Sequence, residues 1–277
     1  MTLTRGDVSA LLARHGVGPS RALGQNFVVD PNTVRRIARL ADVGPADHVV
    51  EVGAGLGSLT LALAETGADL TAVEIDRYLL PALREVLHER APGVRLVEGD
   101  ARRLDWSDVL AAADHWVLVA NLPYNVATPL VLDLLDDVPA IERMLVLVQR
   151  EAGERLAARA SEAAYGIPSV KVAYHAVAEL AGAVPASVFV PRPRVESVLV
   201  RIQRRAEPAT SADPERLFTL VRAGFGQRRK MLRRSLAGLV SAEQFAAAGV
   251  APDARPEQLD VEAWGRLTAA AAEDVGT

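Results

Sequence analysis

The sequence predicts an α/β fold with an open, mainly parallel sheet, followed by a small all-helical domain. Short apolar runs alternate with amphipathic helical patterns between residues 31 and 160. Half of the 277 residues are apolar, which is enough for one large core and a small appendage. A polar, proline-containing stretch near residue 206 then precedes a segment with helical patterns only.

The order of elements follows from these patterns. The first two dozen residues are polar and predict an N-terminal arm, and Asp30-Pro31 then supplies the N-cap and first position of a helix. Alternation of buried strands with helices indicates right-handed βαβ units. The predicted strands are 48–52, 70–75, 94–99, 116–121 and 144–149, and the predicted helices lie around 58–66, 77–90, 126–136 and 150–160. Two later apolar runs, 170–177 and 197–203, predict further strands with antiparallel members.

A domain boundary is predicted near residue 206. Residues 204–214 are polar and contain two prolines, which is typical of a linker. The first domain then spans residues 1–206 and the second residues 207–277. In the second domain Asp213-Pro214 begins one helix, Ser241 with Gln244 forms a capping box for another, and Asp260 caps the last.

Composition excludes several classes of protein. Cysteine is absent, so disulfides, thiolate metal sites and thiol nucleophiles are excluded. The five histidines are scattered without ligand spacing, and we expect no metal site. No run approaches the roughly 18 apolar residues of a membrane span. The N-terminus lacks the apolar core of a signal peptide, so we expect a cytoplasmic protein.

A glycine turn follows the first predicted strand, at Glu51-Val52-Gly53-Ala54-Gly55-Leu56-Gly57. Alternate glycines permit a tight turn and let a ligand approach bare backbone beside a helix N-terminus. The spacing is G-x-G-x-G, which is not the dinucleotide fingerprint. Glu74 ends the next strand, where it is placed to accept hydrogen bonds from both ribose hydroxyls. Asp100 follows the third strand and is placed to accept from an adenine amino group.

The most specific motif is Asn121-Leu122-Pro123-Tyr124, at the end of the fourth predicted strand. It indicates chemistry on an amine attached to a flat ring. The side-chain oxygen of Asn121 and the carbonyl of Leu122 or Pro123 would accept from the two N–H groups of an adenine amine, which leaves its lone pair free. Tyr124 would stack on the ring, a contact worth roughly 1–3 kcal/mol. The alternative is an ordinary turn containing Asn and Pro.

A basic segment lies in the second domain. The net charge of −4 does not indicate a nucleic-acid-binding protein. However, six basic residues fall within thirteen positions that contain no Asp or Glu: Arg222, Arg228, Arg229, Lys230, Arg233 and Arg234. Helical spacing predicts that Leu232, Leu236 and Leu239 face a core, with Arg229 and Arg233 together on another face. We predict a phosphate-binding surface; a solvated helix face is the alternative.

The motifs, taken in order, resemble one family. They are LGQNFV (23–28), EVGAGLG (51–57), AVEID (72–76), GDA (99–101), NLPY (121–124), VFVPRPRVES (188–197) and FGQRRKML (225–232). Over about residues 20–270 the chain resembles the ribosomal RNA adenine N6,N6-dimethyltransferases of the KsgA/RsmA type. The resemblance implies a Rossmann-like class I domain that uses S-adenosylmethionine (AdoMet) and a small helical C-terminal domain. It also implies dimethylation of N6 on two adjacent adenines near the 3′ end of 16S rRNA, in a small-subunit (30S) assembly intermediate, by a monomer.

The resemblance assigns roles to particular residues. Cofactor contacts are implied for Asn26, Val28, Gly53, Gly55, Glu74, Asp100 and Asn121. Within that set Gly53 lies at the methionine part, Glu74 at the ribose, Asp100 at the adenine and Asn121 near the reactive end. Tyr124 and Phe189 would sandwich the target base, and the basic segment would bind RNA. The chain departs from the family pattern at Val28, where Leu is usual, and at Ala54, where Pro is frequent; both changes keep a small or apolar residue.

The sequence leaves three alternative functions open. The erythromycin-resistance 23S rRNA adenine N6-methyltransferases share the fold, the N-terminal motif and the chemistry, but NLPY and FGQRRKML favour the small-subunit type. A nicotinamide-dependent dehydrogenase would share the crevice and Glu74 without explaining Asn121–Tyr124. A non-catalytic RNA-binding assembly factor is the third alternative.

Overall fold

The computed structural model describes residues 2–20 and 22–272. The strands within them are β1 Phe27–Val28, β2 His48–Val52, β3 Asp69–Glu74, β4 Arg95–Glu98, β5 Trp116–Asn121, β6 Ile141–Gln149, β7 Ala176–Val184, β8 Phe189–Val190 and β9 Ser197–Arg204. The α-helices are α1 Arg5–His15, α2 Pro31–Ala41, α3 Ser58–Ala64, α4 Leu80–Arg90, α5 Trp106–Val109, α6 Ala127–Asp137, α7 Arg150–Ala157, α8 Ile167–His175, α9 Pro214–Gly226, α10 Leu232–Ser235, α11 Ala242–Ala247 and α12 Val261–Ala272.

The predicted α/β architecture is confirmed. A seven-stranded sheet has the order β4-β3-β2-β5-β6-β9-β7, and its strands β2 to β6 are parallel to one another. Strand β9 runs antiparallel to β6, as the later apolar runs predicted. Strands β1 and β8 form a separate two-stranded antiparallel sheet.

The register of the sheet brings three strand ends to one edge. Val52 at the end of β2 lies opposite Val73 of β3 on one side and Ala120 of β5 on the other. The residues that follow are the glycine turn, Glu74 and Asn121. Because carboxyl ends of parallel strands share an edge, residues distant in sequence become neighbours there.

Helix α2 has the predicted cap and apolar face. The Asp30 carboxylate accepts from the Thr33 backbone N–H at 2.8 Å, and such a cap stabilises a helix by about 1 kcal/mol. Val34, Ile37, Ala38 and Ala41 are all buried in one hydrophobic cluster that includes residues of β2, β5 and β6. The helix is therefore held by its apolar face against the sheet.

The predicted N-terminal arm is wrong, because residues 5–15 form helix α1. Thr4 and Asp7 make a capping box at its start, with 3.2 Å from the Asp7 N–H to the Thr4 hydroxyl. Val8 and Leu11 are buried in a second cluster that includes residues of α4. Two buried apolar positions within eleven residues give too weak a periodicity to indicate a helix from sequence.

The predicted strand 170–177 is also wrong. The segment is mostly helix α8, with Pro168 in its first turn, and strand β7 begins only at Ala176. Val170, Val172 and Tyr174 are all buried. A short apolar run does not distinguish a buried helix from a buried strand by periodicity, which accounts for the error.

Two compact units make up the chain. The first contains residues 1–153 and 179–203, and the second contains residues 154–178 together with the chain from residue 204 onward. Residues 154–178 thus pack with the C-terminal helices, whereas a single boundary at residue 206 assigns them to the first domain. The three predicted helix starts of the second unit are observed at Asp213, Ser241 and Asp260. Residues 273–277 of the predicted second domain lie outside the described residues.

Candidate active site

The glycine turn after β2 exposes bare backbone. Gly53 has φ +79° and Gly55 has φ +60°, in the left-handed region that side chains disfavour. A Cβ on Gly55 would lie 3.1 Å from the ring of Phe27, so a larger residue would also crowd that ring. The Gly53 N–H donates to the Val73 carbonyl at 2.9 Å, which fixes the turn against β3.

Glu74 joins this turn to the end of β3. Its side chain is 3% exposed; Oε2 accepts from the Gly55 N–H at 2.6 Å and Oε1 from the Asp76 N–H at 2.8 Å. Burial raises the pKa of Glu74, and the backbone donors oppose that shift by stabilising the ionised form. An ionised carboxylate has about four acceptor sites, so Glu74 retains capacity for the hydroxyls of a ligand.

The orientation of Asn121 is set by the N-terminal segment. Its Nδ2 donates to the Asn26 carbonyl at 2.9 Å, which leaves Oδ1 as the acceptor that the amide presents. The Pro123 carbonyl accepts from the N–H groups of Val126 and Ala127 at 3.1 and 3.0 Å. A carbonyl has two lone pairs, so these two bonds occupy Pro123 and favour Leu122 as the backbone acceptor.

Two adjoining pockets, open to solvent, share the lining residues Gly53, Leu122 and Pro123 and form one crevice at this edge of the sheet. The first is lined, among others, by the predicted residues Asn26, Val28, Gly53, Gly55, Glu74, Asn121 and Tyr124. The second is lined by Asp100, Gly53, Leu122 and Pro123, among others. The structure therefore brings eight predicted site residues to one crevice.

Among the residues predicted to contact the cofactor or the target base, Phe189 is the one that does not line the crevice. It lies opposite Val28 in the β1–β8 pair, is 2% exposed and packs in the hydrophobic cluster of α2 and the sheet. A ring in that position has no free face for a base.

Glu51 is a site residue that sequence reasoning missed. It lines the crevice, is 1% exposed, and its Oε2 has no hydrogen-bond partner among residues 2–20 and 22–272. Burial raises its pKa to about 8, and the nearby Glu74 carboxylate adds to the shift while the Thr60 hydroxyl opposes it. The available signal was a carboxylate that lies among three valines in a short strand.

Gln25 is a second missed residue. Its Nε2 donates to the Asp76 carboxylate at 2.7 Å and its Oε1 accepts from the Ser20 N–H at 2.7 Å. These two bonds fix the segment before β1 at the end of β3, beside the crevice. Gln25 lies in the LGQNFV motif (23–28), but the spacing of that motif alone does not indicate a role for the residue.

The basic segment lies in the second unit and is not a continuous helix. Helix α9 ends at Gly226 and α10 begins at Leu232, so the prediction that Arg229 and Arg233 share a helix face is wrong. Leu232 and Leu236 are buried as predicted, but Leu239 is 46% exposed. The turn at residues 227–230 separates Arg229 from the helix that contains Arg233, and α10 ends at Ser235, so helical spacing does not extend to Leu239.

The charges of this segment are mostly unopposed. Arg228 lies 3.7 Å from the Glu257 carboxylate and donates to the Ala163 carbonyl at 3.3 Å, so one of the six has an acidic partner after all. All six side chains are exposed. Arg229, Lys230 and Arg234 have no acidic partner in the part of the chain that the structure describes. The second unit thus presents a cationic surface.

Across residues 2–20 and 22–272, no group of three or more His, Asp or Glu side chains is arranged to hold a metal ion. Over the same residues, no helix combines the length and the apolar character that crossing a bilayer requires.

The fold and the crevice together define a class of enzyme. A parallel sheet with the antiparallel strand β9 between β6 and β7, a glycine turn, a buried acid on the neighbouring strand and an Asn-x-Pro-Tyr turn belong to AdoMet-dependent class I methyltransferases. The family model for ribosomal RNA adenine dimethylase matches residues 20–273. The chain belongs to that family.

Individual relatives agree with this assignment. The chain is 48% identical to the ribosomal RNA small subunit methyltransferase A of Thermobifida fusca, over 96% of this chain and 94% of the relative. The protein of the same name from Nocardia farcinica is 47% identical, with 96% and 94% covered.

Solved structures show the same fold. The 23S rRNA methyltransferase ErmE has a TM-score of 0.70 at 27% identity, covering 88% of this chain and 98% of that one. A dimethyladenosine transferase from Plasmodium falciparum has a TM-score of 0.72 at 21% identity, covering 87% and 95%.

The raised pKa of Glu51 predicts a pH-dependent stability. Between its ordinary pKa of 4.5 and about 8 the folded protein keeps a proton that the unfolded chain releases, so the free energy of unfolding falls as pH rises through that window. Glu51→Gln cannot ionise and should remove this decline. In thermal unfolding without cofactor, the Tm of the variant minus the Tm of the wild type should therefore increase from pH 4.5 to 8. A difference in Tm that does not vary with pH would contradict the raised pKa.

Proposed function

We propose that the protein transfers methyl groups from AdoMet to N6 of two adjacent adenines near the 3′ end of 16S rRNA, within a 30S assembly intermediate. It would act as a monomer in the cytoplasm and contribute to small-subunit maturation. The observation that carries the proposal is the meeting of the Asn121–Tyr124 turn with the glycine turn and Glu74 in one crevice. The names of the curated relatives support the small-subunit RNA as substrate.

The crevice residues suit AdoMet. Bare backbone at Gly53 and Gly55 would hold the methionine part, and the unpartnered Glu51 oxygen suits its ammonium group. Glu74 would accept from the ribose hydroxyls and Asp100 from the adenine amine, with Asn26 and Val28 closing the site. When bound, AdoMet supplies the methyl group. The remaining steps depend on how the chain holds the target amine.

Two acceptors would prepare the adenine amine. Its lone pair is delocalised into the ring, which makes it a poor nucleophile. Asn121 Oδ1 and the Leu122 carbonyl accept from its two N–H groups and favour a pyramidal nitrogen whose lone pair is free. Since the Asn26 carbonyl already fixes the Asn121 amide, the acceptor is oriented before the base arrives. No strong general base is needed, because the amine becomes acidic only after it has gained an alkyl group.

Tyr124 would hold the target base by stacking. The residue is half-buried and lines the crevice, so one ring face is accessible. We also assign Phe189 to the base sandwich on the strength of the family resemblance. Because its ring is buried against the core, that role requires residues 189–190 to move when RNA binds.

The basic segment would bind the RNA backbone. Its arginines and lysine are exposed, and among the residues that the structure describes only Arg228 is partly engaged by an acidic side chain. Like charges held together without acids repel one another, so a purely structural role does not explain them. Phosphate groups supply the missing counter-charge.

The erythromycin-resistance type is the second candidate. ErmE shares the fold at 27% identity, whereas the relatives named ribosomal RNA small subunit methyltransferase A reach 47–48%. One assay separates the candidates. Small and large subunits from cells lacking this gene are incubated with the protein and AdoMet, and RNA fragments are analysed by mass spectrometry. We expect dimethyladenosine in the small-subunit RNA; methylation of the large-subunit RNA alone would overturn the proposal.

Loss of Glu74 should weaken cofactor binding. Glu74→Ala removes charge-assisted hydrogen bonds to two hydroxyls and should cost about 2–4 kcal/mol of AdoMet binding free energy by calorimetry. Glu74→Gln keeps one acceptor oxygen and should lose less. NAD serves as the control ligand and should bind weakly or not at all. Tighter binding of NAD than of AdoMet would favour a nicotinamide-dependent enzyme instead.

Loss of Asn121 should impair turnover more than cofactor binding. Asn121→Ala should leave AdoMet affinity within about tenfold and lower kcat by about a hundredfold or more, as loss of a preorganised polar contact does. The measurement is methyl transfer to small subunits under saturating conditions. Near-normal kcat in the folded variant would reduce Asn121 to a turn residue. RNA binding without any methyl transfer by the wild type would instead indicate a non-catalytic assembly factor.

Neutralising the basic segment should weaken RNA binding without changing AdoMet binding. Replacing Arg229, Arg233 and Arg234 with Gln should leave AdoMet affinity unchanged. The slope of log K for RNA binding against log salt concentration should become shallower by roughly 2–3, since each lost phosphate contact reduces that slope by about 0.7–0.9. The matched control replaces three exposed arginines of the first unit, Arg39, Arg84 and Arg90, and should keep the wild-type slope. An unchanged slope in the folded test variant would show that RNA binds elsewhere.

A further inference from the structure

We propose that Ser197 is a positioning residue for methyl transfer, which it serves by holding the ring of Tyr124. The two hydroxyl oxygens lie 2.7 Å apart and share a hydrogen bond, although the residues are 73 positions apart in sequence. Ser197 is 0% exposed, while Tyr124 lines the crevice. This inference rests on the stacking role proposed above for Tyr124.

Ser197 is a fixed anchor. It is the first residue of β9 and lies opposite Gln149, the last residue of β6. The adjacent Glu196 carbonyl accepts from the Arg150 N–H at 2.9 Å, and the Glu196 carboxylate pairs with the Arg150 guanidinium at 2.8 Å. The start of β9 is thus tied to the end of β6 both within the strand pair and by the residues just outside it. The Ser197 hydroxyl has a defined position as a result.

A polar side chain at this position requires a reason. The buried residues that follow in β9 are all apolar: Val198, Leu199, Val200 and Ile202. A buried hydroxyl is costly unless it makes a hydrogen bond, and an apolar side chain would fill a strand position without that requirement. The partner that satisfies Ser197 is the hydroxyl of the residue proposed to receive the base.

The hydrogen bond restricts the tyrosine ring at its far end. The backbone at Tyr124 fixes one end of the side chain, and Ser197 fixes the other. Burial raises the pKa of Tyr124, with the Ser197 hydrogen bond opposing the shift, so the phenol remains neutral and keeps its proton for this bond. A ring held at both ends presents its face in one orientation, and misplacement of a reactant by about 1 Å is enough to slow a reaction severely.

The test is a double-mutant cycle on kcat for methyl transfer to unmethylated small subunits, using the full chain. Ser197→Ala and Tyr124→Phe each remove one hydroxyl and keep the ring, so each should lower kcat by about tenfold. If both act through one hydrogen bond, the double variant should be no slower than either single variant. Ser197→Thr retains the hydroxyl and should restore most of the activity. The Kd for AdoMet should stay within about twofold throughout.

Controls separate this role from a general structural one. Ser169→Ala removes another buried serine hydroxyl, which donates to the Arg155 carbonyl in the second unit, and should lower Tm without changing kcat. Wild-type kcat in folded Ser197→Ala would overturn the inference. So would additive losses in the double variant, since the two hydroxyls would then act independently. Tyr124→Ala tests the underlying proposal separately: if it remains fully active, the stacking role fails, whatever Ser197 does.

Discussion

A buried carboxylate, Glu74, is the constraint on which the crevice depends. A carboxyl group that is almost fully enclosed needs hydrogen-bond donors, and here two are backbone N–H groups, those of Gly55 and Asp76. Those donors belong to the glycine turn after β2 and to the end of β3. Satisfying one carboxyl group therefore fixes the backbone of two strand ends relative to each other. The shape of the cofactor crevice follows from that requirement before any ligand is present.

Most of the fold and the site could be predicted because their signals are local. Apolar runs gave the central strands, and motifs at strand ends marked Gly53, Glu74 and Asn121, which the parallel sheet then brings together. The errors came from segments whose structure depends on tertiary contacts. Residues 5–15 and 167–175 become helices because distant side chains bury them, and Glu51 gains its raised pKa only through enclosure. Likewise, no spacing rule connects Tyr124 with Ser197.

The N-terminal segment helps to shape the crevice through its backbone and one side chain. The Asn26 carbonyl fixes an amide 95 residues later, and the Gln25 side chain ties the same segment to Asp76. One short stretch thereby ties together the ends of β3 and β5 at the crevice. In the proposed function, the groups that would hold the cofactor and the base share this single support.

The division of the chain has a consequence for exchanging parts between relatives. Residues 154–178 belong to the second unit, where the Tyr165 hydroxyl donates to the Leu259 carbonyl at 2.9 Å and Val170 and Tyr174 are buried in its cluster. A fragment that starts at residue 204 lacks these side chains and leaves holes in its own core. A chimaera that exchanges the second unit must therefore be cut in three places, around residues 153, 178 and 203, and must carry both pieces from the same parent.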